Sequence, residues 1–424
     1  MSDNHNPLRK HARILTASLV GTTVEFYDFY VFATATALVF GPMFFPKASP
    51  AAQQISAFMV FGIAFVARPV GAVAFGHFGD RIGRKSTLVA SLLLMGCSTF
   101  AVALLPSYAA AGWIAPALLC LARFGQGFGL GGEWGGAALL AVEYAPPGWT
   151  ARFGSAPQLG APLGFLAANG LFLALGLALG PGEFAAWGWR IPFVLSAVLV
   201  GVGLWVRLKI AETPAVAEAL AHHEVASVPV WPLITRHGAA LLAGAAGVVG
   251  CFALFYLATT FALAQGTSVL HYPRQAFLGV QLAANLFFAG GIIVSAVWAD
   301  KASSARVLMV AAALTVPVGV VFGAGLASGS LLTVWAMLSA ALFVMGLTYG
   351  PLGAWLPTLF PVPLRYTGIS MAFNVGGIIG GAVMPPLAKA LADAGHPALV
   401  GMPLALAGAI TLAGVGLSAR LRPR

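Results

Sequence analysis

Two carboxylates inside the first apolar segment have the residue type and spacing needed for proton chemistry. Glu25 and Asp28 are three residues apart, so on a helix they share one face and lie within reach of each other. At ~1.5 Å per residue they lie ~18 and ~22 Å beyond Arg13, near the middle of a bilayer. Neighbouring carboxylates in a poorly solvated site favour the protonated form of at least one of them. We therefore predict that Asp28 or Glu25 carries a proton, and permanent pairing of one of them with Arg68 is the alternative.

A second polar group lies in a later apolar segment. Arg123, Gln126 and Glu133 have offsets of 0, 3 and 10 residues, and at about 100° per residue they fall within about 80° of one another. Arg123 and Gln126 are predicted to contact substrate. The sequence leaves open whether Arg123 binds an anionic substrate through a bidentate pair or is the counter-ion of a first-segment carboxylate. Glu133 lies ~15 Å further along the helix and is a candidate for proton release or gating, with an ordinary hydrogen bond between helices as the alternative.

The composition places these segments in a membrane. The chain has 424 residues, of which 59% are apolar and 8% charged, and its mean hydropathy is +0.91. Its 22 basic and 12 acidic residues give 34 charges, where a soluble chain of this length carries roughly 100. This deficit excludes a water-soluble enzyme, and the loops contain no cluster of catalytic His, Asp or Cys residues. We predict that the protein is not an enzyme.

Apolar runs of membrane-spanning length occur twelve times. They lie near 14–40, 55–78, 86–106, 112–141, 154–180, 188–207, 237–264, 276–299, 305–327, 331–356, 367–391 and 398–419. The longest polar stretch, 208–236, separates six from six. The sequence therefore predicts an all-α membrane protein with an N-terminal six-helix bundle (1–207), a linker (208–236) and a C-terminal six-helix bundle (237–424).

The net charge of +10 is explained by membrane topology. Sixteen Lys and Arg residues fall on the side of the two termini, four on the opposite side, and Arg68 and Arg123 within the membrane. Because basic residues are enriched in cytoplasmic loops, both termini are predicted to be cytoplasmic. Nucleic acid is therefore not expected as a partner, whereas membrane lipid is.

The two halves carry related loops. The sequence Gly76-His-Phe-Gly-Asp80-Arg81-Ile-Gly83-Arg84-Lys85 follows the second span, and Ala296-Val-Trp-Ala-Asp300-Lys301-Ala-Ser303 follows the eighth. Such a parallel repeat, with substrate held between the halves near the midplane, is typical of secondary transporters.

The first of these loops resembles the signature loop of the major facilitator superfamily. Three further stretches, Thr23-Val-Glu25-Phe-Tyr-Asp28-Phe, Gln126-Gly127 to Gly136-Ala and Phe360-Pro361 to Gly368, are similar to those of its metabolite:proton symporter family. Members of that family take up dicarboxylates, tricarboxylates, shikimate, aromatic acids, or proline and betaine, so the resemblance does not select the substrate. It implies the major facilitator fold of twelve helices in two pseudo-repeats, working by alternating access.

The resemblance also implies a gate on the cytoplasmic side. Its residues are Asp80, Arg81, Arg84, Glu143 and Arg152, of which Asp80, Arg84 and Glu143 form a charge network that latches that side shut. A positive-inside anchor is the alternative for the basic members.

The C-terminal half has no charge deep in a span, so its substrate-binding candidates are neutral. They are Tyr256, Gln281, Asn285, Tyr349 and Asn374, with Thr259 and Thr260 beside Tyr256. Most polar residues of this kind join helices to one another, so about one in three is expected to contact substrate. Gly127-x-Gly129-x-x-Gly132 matches a dinucleotide-binding pattern, but it lies in a membrane span. The glycines from Gly125 to Gly135 form small-xxx-small steps for close helix packing.

We therefore predict proton-coupled uptake of a small organic acid across a bacterial inner membrane, with a zwitterion such as proline or betaine as the alternative solute. Efflux by an antiporter is disfavoured, because Gly160-Ala-Pro162-Leu-Gly164 lacks parts of the exchanger motif. No cofactor is expected beyond the coupling proton. Cys97, Cys120 and Cys251 lie in apolar runs, so no metal site is expected. The protein is expected to be a monomer.

Overall fold

The computed structural model describes residues 11–82, 84–131, 133–209, 230–361 and 364–421, and every regular element in these ranges is helical. The first six membrane helices are α1 (Ala12–Ala35, then a π-helical turn Thr36–Phe40 and Gly41–Phe44), α2 (Pro50–Ile82), α3 (Arg84–Ala103), α4 (Ile114–Leu130, then Glu133–Glu143), α5 (Thr150–Ser155, a 3-10 turn Pro157–Leu159, then Gly160–Ala178) and α6 (Ile191–Lys209).

The other six helices follow in the same order. They are α7 (Val230–Tyr256, a π-helical turn Leu257–Phe261, then Ala262–Ser268), α8 (Arg274–Lys301), α9 (Ser304–Leu326), α10 (Leu331–Tyr349, then Leu352–Trp355 and a 3-10 turn Leu356–Leu359), α11 (Arg365–Gly377, a π-helical turn Ile378–Val383, then Met384–Asp393) and α12 (Met402–Ser418). In the described chain, eleven of these segments are long and apolar enough to cross a membrane, and Val89–Ala103 of α3 is a shorter apolar segment. The predicted fold class is confirmed, and eleven of the twelve predicted spans correspond to helices of membrane-spanning length and composition.

The polar stretch between the halves is helical at both of its ends. Helix α6 continues to Lys209, and α7 begins at Val230 and bends at His237, where the backbone leaves helical geometry with φ −123° and ψ 19°. Residues 210–229 lie outside the described ranges. The apolar pattern therefore located the start of the seventh span at the bend, seven residues after the helix itself begins.

The same helix pairs pack in both halves. Helix α1 packs on α5, α2 on α4 and α3 on α6, while α7 packs on α11, α8 on α10 and α9 on α12. Each pair in the first half thus has its counterpart six helices later, as a parallel repeat requires. The two halves meet along α2 with α11 and along α5 with α8.

Glycines allow the closest of these approaches. A Cβ on Gly127 or Gly131 would meet the α2 backbone at Ala64 and at Arg68, and one on Gly129 would meet α3. In the second half, Gly291 of α8 and Gly346 of α10 lie equally close. The prediction that the fourth helix uses small residues for packing is confirmed.

One face of the bundle carries the start of the chain. The ring of His11, before α1, lies 5.6 Å from that of Phe153 and 6.2 Å from that of Tyr144, at the junction of α4 and α5. We call this the terminal face, because an even number of crossings brings the chain back to it. The other end of the bundle is the opposite face.

Candidate functional site

A cavity lies at the centre of the bundle, where the two halves meet. It offers about 50 Å³ of space to the centres of water molecules, several times the roughly 10–15 Å³ that one water needs. Each half contributes eight lining residues, from α1, α2, α4 and α5 on one side and α7, α10 and α11 on the other. A solute held here would contact both halves at once.

Two of the described lining side chains are charged, Glu25 on α1 and Arg68 on α2, and both belong to the first half. The guanidinium of Arg68 lies 4.5 Å from the ring centroid of Phe29 and 4.9 Å from that of Phe65. Arg68 is 7% exposed, and its Nε has no hydrogen-bond partner among the described residues. A cation so placed can accept an anionic group from the cavity.

Most of the cavity wall is aromatic. Nine of its sixteen lining residues are Phe, Tyr or Trp, contributed by both halves. Tyr30 of α1 and Phe255 of α7 stack across the interface with centroids 4.9 Å apart, and Tyr256 packs on Phe61 and Phe65 at 5.2 and 5.3 Å. Such walls favour solutes with flat or apolar surfaces.

Trp134 closes the cavity towards the terminal face. Its ring stacks on that of Phe373 of α11, with centroids 3.7 Å apart and planes within 6° of parallel. Its Nε1 donates to Gln158 Oε1 at 3.1 Å and to the hydroxyl of Tyr349 at 3.3 Å. Nearer the face, the Ser155 hydroxyl donates to the carbonyl of Gly350 at 2.8 Å.

An ion pair lies at the outer edge of this closure. Arg152 Nε lies 3.2 Å from Asp300 Oδ2, and the carboxylate also accepts from the backbone N–H groups of Ala151 at 2.7 Å and Arg152 at 3.3 Å. Asp300 therefore joins the end of α8 to the first turn of α5, where an acidic group is favoured by the unpaired N–H groups.

The bundle is also closed towards the opposite face. The guanidinium of Arg274, at the start of α8, lies 3.5 Å from the ring centroid of Phe184. Gln275 donates to the carbonyl of Gly176 at 3.1 Å. Deeper in the bundle, Asn285 Nδ2 donates to the carbonyl of Pro162 at 2.9 Å. Contacts between the halves thus lie towards both faces, and we call this arrangement the occluded state.

Asp28 and Glu25 face different surroundings. Glu25 lines the cavity, whereas Asp28 is fully buried within the first half, where it accepts a hydrogen bond from Ser196 of α6. The second carboxylate oxygen of Asp28 has no hydrogen-bond partner among the described residues. The structure thus places Glu25 in the cavity wall and Asp28 inside the first half.

Arg123 does not reach the cavity. It is fully buried, with its guanidinium 4.2, 4.1 and 4.6 Å from the ring centroids of Phe29, Phe32 and Phe61. Its Nε donates to the carbonyl of Phe61 at 3.2 Å, and its Nη1 donates to Gln126. Arg123 therefore does not line the cavity in this conformation, because a phenylalanine cage holds its guanidinium.

Gln126 is likewise used inside the first half. Its Nε2 donates to Thr99 Oγ1 at 2.8 Å and to the backbone carbonyl of Asp28 at 3.2 Å. Gln126 therefore connects α4 to α3 and α1 and does not line the cavity.

The neutral candidates of the second half divide into two groups. Tyr256, Tyr349 and Asn374 line the central cavity, although Asn374 Nδ2 already donates to the carbonyl of Gly131 at 2.9 Å. Asn285 joins α8 to α5, as described above. Gln281 donates to the carbonyls of Ala258 and Thr259, at 3.1 and 2.8 Å, beside the π-helical turn of α7.

Gln281 also lines a second, smaller cavity towards the opposite face. It offers about 10 Å³ to water centres, and Thr259 and Thr260 line it as well, with Asn169 of α5. The hydroxyl of Thr34 donates to Asn169 Oδ1 at 2.8 Å. This space is of the size of a single water molecule.

Several predicted gate residues have no described side-chain positions. The side chains of Asp80, Arg81, Arg84 and Glu133 lie outside the described part of the structure. Glu143 is exposed at the end of α4, and Arg152 is the member of the predicted gate that forms an ion pair here, with Asp300.

Three residues of the site were not assigned to it from the sequence. From the sequence, Arg68 is a possible partner of the α1 carboxylates. Trp134 lies within the motif Gln126-Gly127 to Gly136-Ala, and Asp300 is the counterpart of Asp80 in the loop repeat. Arg68 could have been found from the sequence, because a charged residue deep in a span is unusual. Asp300 could have been found from the loop repeat, where it corresponds to Asp80. No sequence pattern indicates that Trp134 faces the second half.

Comparison with known proteins agrees with this architecture. The family model described as "Sugar (and other) transporter" matches residues 14–228. The chain is 44% identical to the inner membrane metabolite transport protein YhjE of Escherichia coli (strain K12), over 96% of this chain and 94% of that protein. It is 35% identical to the shikimate transporter of the same organism, over 91% of this chain and 88% of that protein.

The fold is that of a solved transporter as well. The crystal structure of a D-xylose-proton symporter superposes with a TM-score of 0.72, covering 97% of this chain and 98% of that chain at 17% identity.

Proposed function

Because the chain belongs to the sugar (and other) transporter family of the major facilitator superfamily, we propose that it takes up a small organic acid together with a proton. The protein is a multi-pass transporter of the inner membrane.

The observation that carries the proposal is the closed central cavity with Arg68 and Glu25 in its wall. A buried cation needs an anionic or strongly polar partner. In a transporter that partner can be the solute, because the cavity is built from both halves and opens when they move apart. A carboxylate fits this position, since guanidinium and carboxylate groups form paired hydrogen bonds.

The relatives support an acid as the solute. The name of the 35% identical relative gives it shikimate, which is a carboxylate. A likeness of fold at 17% identity does not extend to the solute, so the fold shared with a xylose transporter is not taken to indicate a sugar here.

Coupling to protons would use Glu25 and Asp28. Glu25 lines the cavity and can exchange a proton with it, while Asp28 is buried beside Ser196 and the Gln126 network. A neutralised carboxylate allows the loaded carrier to reorient without an unpaired charge in the membrane. Glu133, one residue before Trp134, remains a proposed third member of this path.

A zwitterion is the second candidate solute, and one observation favours it. An acidic and a basic side chain line the same cavity among aromatic rings, and such rings also bind cationic groups of ligands. Proline or betaine would present its carboxylate to Arg68 and its cationic nitrogen to the rings.

The remaining proposals concern the ends of the bundle. We propose that the terminal face is cytoplasmic, since it carries most of the basic residues. The gate on this face would comprise Arg152 with Asp300, together with Asp80, Arg81, Arg84 and Glu143. We propose that a monomer is sufficient, because the cavity is built within one chain.

Transport in liposomes tests the function. The purified protein would be reconstituted, and uptake of labelled shikimate, benzoate and glycine betaine measured with the outside more acidic than the inside. Accumulation of an acid above its external concentration, abolished by a protonophore and absent from liposomes without the protein, is expected. If no acid accumulates beyond its level in liposomes without the protein, proton symport is contradicted. Accumulation of betaine alone would select the zwitterion.

A further inference from the structure

We propose that Arg68 binds the substrate carboxylate and that the aromatic cavity around it selects an acid with a single carboxylate on a flat, largely apolar ring. The inference rests on the proposed function and defines the acid that is carried.

The position of Arg68 makes it suited to a carboxylate. The rings of Phe29 and Phe65 lie 4.5 and 4.9 Å from its guanidinium carbon and restrict its orientation. Guanidinium N–H groups lie in the plane of the group, so stacking on a ring face leaves them available at its edge. The Nε of Arg68 is buried without a hydrogen-bond partner in the described structure, and Arg68 lines the cavity. A solute carboxylate in the cavity would supply the missing acceptor.

The charged side chains in the cavity wall limit the number of carboxylates that a bound solute can carry. Arg68 is the one basic side chain among the described lining residues, and the acidic one is Glu25. Arg123 is held behind Phe29, in a separate cage of three phenylalanine rings. A second carboxylate would therefore be buried without a cation beside it, which disfavours its binding strongly.

The aromatic wall of the cavity limits the shape of the remainder of the solute. Nine aromatic residues surround a small volume, and rings from opposite halves already stack on one another, as in the pairs Tyr30–Phe255 and Trp134–Phe373. A flat ring can join such stacks with offset or edge-on contacts. Two polar groups of the wall are already engaged, since Trp134 Nε1 donates to Gln158 and Asn374 donates to Gly131. The wall also carries the charged groups of Arg68 and Glu25 and the hydroxyls of Tyr30, Tyr256 and Tyr349.

Ligand binding to the purified parent protein tests the shape and charge of the solute. Benzoate, terephthalate, succinate and glycine betaine would be titrated in detergent, with calorimetry and the melting temperature as readouts. Benzoate and terephthalate share a ring and differ by one carboxylate. We expect benzoate to bind at least about tenfold more tightly than terephthalate or succinate, since an unpaired buried charge costs at least this factor.

Two matched variants test the role of Arg68. Arg68→Lys and Arg123→Lys each keep the charge and remove the planar fork, in buried arginines that both stack on Phe29. We expect Arg68→Lys to weaken benzoate binding about tenfold or more, and Arg123→Lys to leave the affinity of the folded protein within about threefold of the parent. Melting curves without ligand show whether each variant is folded. If Arg68→Lys does not fold, Arg68→Gln and the comparison of ligands on the parent carry the test.

The outcomes separate this inference from the proposed function. Proton-driven uptake of succinate or betaine in preference to benzoate would leave the symport proposal standing and overturn the substrate class. Equal affinity of the parent and Arg68→Lys for benzoate, or a loss confined to Arg123→Lys, would overturn the assignment of Arg68. If no acid accumulates under a pH gradient beyond its level in liposomes without the protein, the proposed function itself is contradicted, whatever the binding data.

Discussion

The indole of Trp134 lies flat on the phenyl ring of Phe373, with centroids 3.7 Å apart and planes 6° from parallel. One ring belongs to α4 in the first half and the other to α11 in the second half. Because both residues line the cavity, this stack separates the cavity from the terminal face in the occluded state. It must be broken whenever the cavity opens to that face.

Removal of this stack should loosen the closure. In Trp134→Ala, the lost stacking and the lost hydrogen bonds to Gln158 and Tyr349 together cost on the order of 1–2 kcal/mol of closing free energy. We expect maleimide to modify Cys251, which lines the cavity, about tenfold faster. Cys97 and Cys120 would be replaced by Ser in all variants.

Trp113→Ala is the matched control, since Trp113 is 73% exposed at the start of α4. Its rate of Cys251 modification should equal that of the parent. Unchanged modification in Trp134→Ala would show that the stack does not limit opening.

Replacement of the two carboxylates of α1 should impair proton coupling, whereas replacement of an acid outside the membrane core should not. Asp28→Asn and Glu25→Gln mimic the protonated form, so at least one should lose accumulation driven by a pH gradient while still exchanging labelled for unlabelled benzoate. Both measurements use reconstituted protein. Glu183→Gln is the control, because Glu183 caps a short helix outside the membrane core by accepting from Gly180 N–H at 3.0 Å. Normal accumulation by both α1 variants would assign these carboxylates a structural role.

Asp300 should stabilise the terminal gate through its hydrogen bonds as well as its charge. Asp300→Ala removes the acceptor for two backbone N–H groups and the partner of Arg152, which we expect to lower the free energy of unfolding by about 1–2 kcal/mol. Asp300→Asn keeps one acceptor oxygen and should lose less. Denaturant titration in detergent measures the difference. Glu183→Ala, which removes one hydrogen bond to the backbone N–H of Gly180, is the control. An equal or larger loss in the control would contradict a special role for Asp300.

Because α2 and α4 pack closely, addition of a single methyl group between them should destabilise the protein. A Cβ on Gly127 would overlap the backbone of Ala64, so Gly127→Ala must separate the helices and should destabilise the protein by about 1–3 kcal/mol or more. Gly170→Ala on α5 meets no atom within 4 Å and should be neutral. Yield of monodisperse protein and melting temperature compare the two. A stable Gly127→Ala protein would show that this interface can adapt.

The fold was predictable because the membrane imposes simple rules on sequence. Spans need about twenty apolar residues, and loops collect basic residues, so helix number follows from composition. The glycines of α4 could also be interpreted, since close packing without a hydrophobic driving force selects small residues. The bend at His237 and the earlier start of α7 were harder to predict, because apolar residues lie on both sides of the bend.

The site was harder to predict, as the two buried arginines illustrate. Arg68 and Arg123 have the same residue type at similar depth, and helical periodicity shows which neighbours share their face. It does not show whether that face points towards the other half or into its own half. Arg123 and Gln126 do share a face of α4, as the periodicity indicates. In the folded protein that face packs against α1 and α3 and so points into its own half.

The described charges deep in the first half add up to zero when both carboxylates are ionised: Glu25 and Asp28 against Arg68 and Arg123. The empty carrier then moves no net charge through the membrane field as it returns. A carrier loaded with one anion and one proton is also neutral, so neither half of the cycle is subject to the roughly 2.3 kcal/mol that each charge gains or loses per 100 mV. Uptake by this protein should therefore respond to the pH difference across the membrane and be indifferent to the membrane potential.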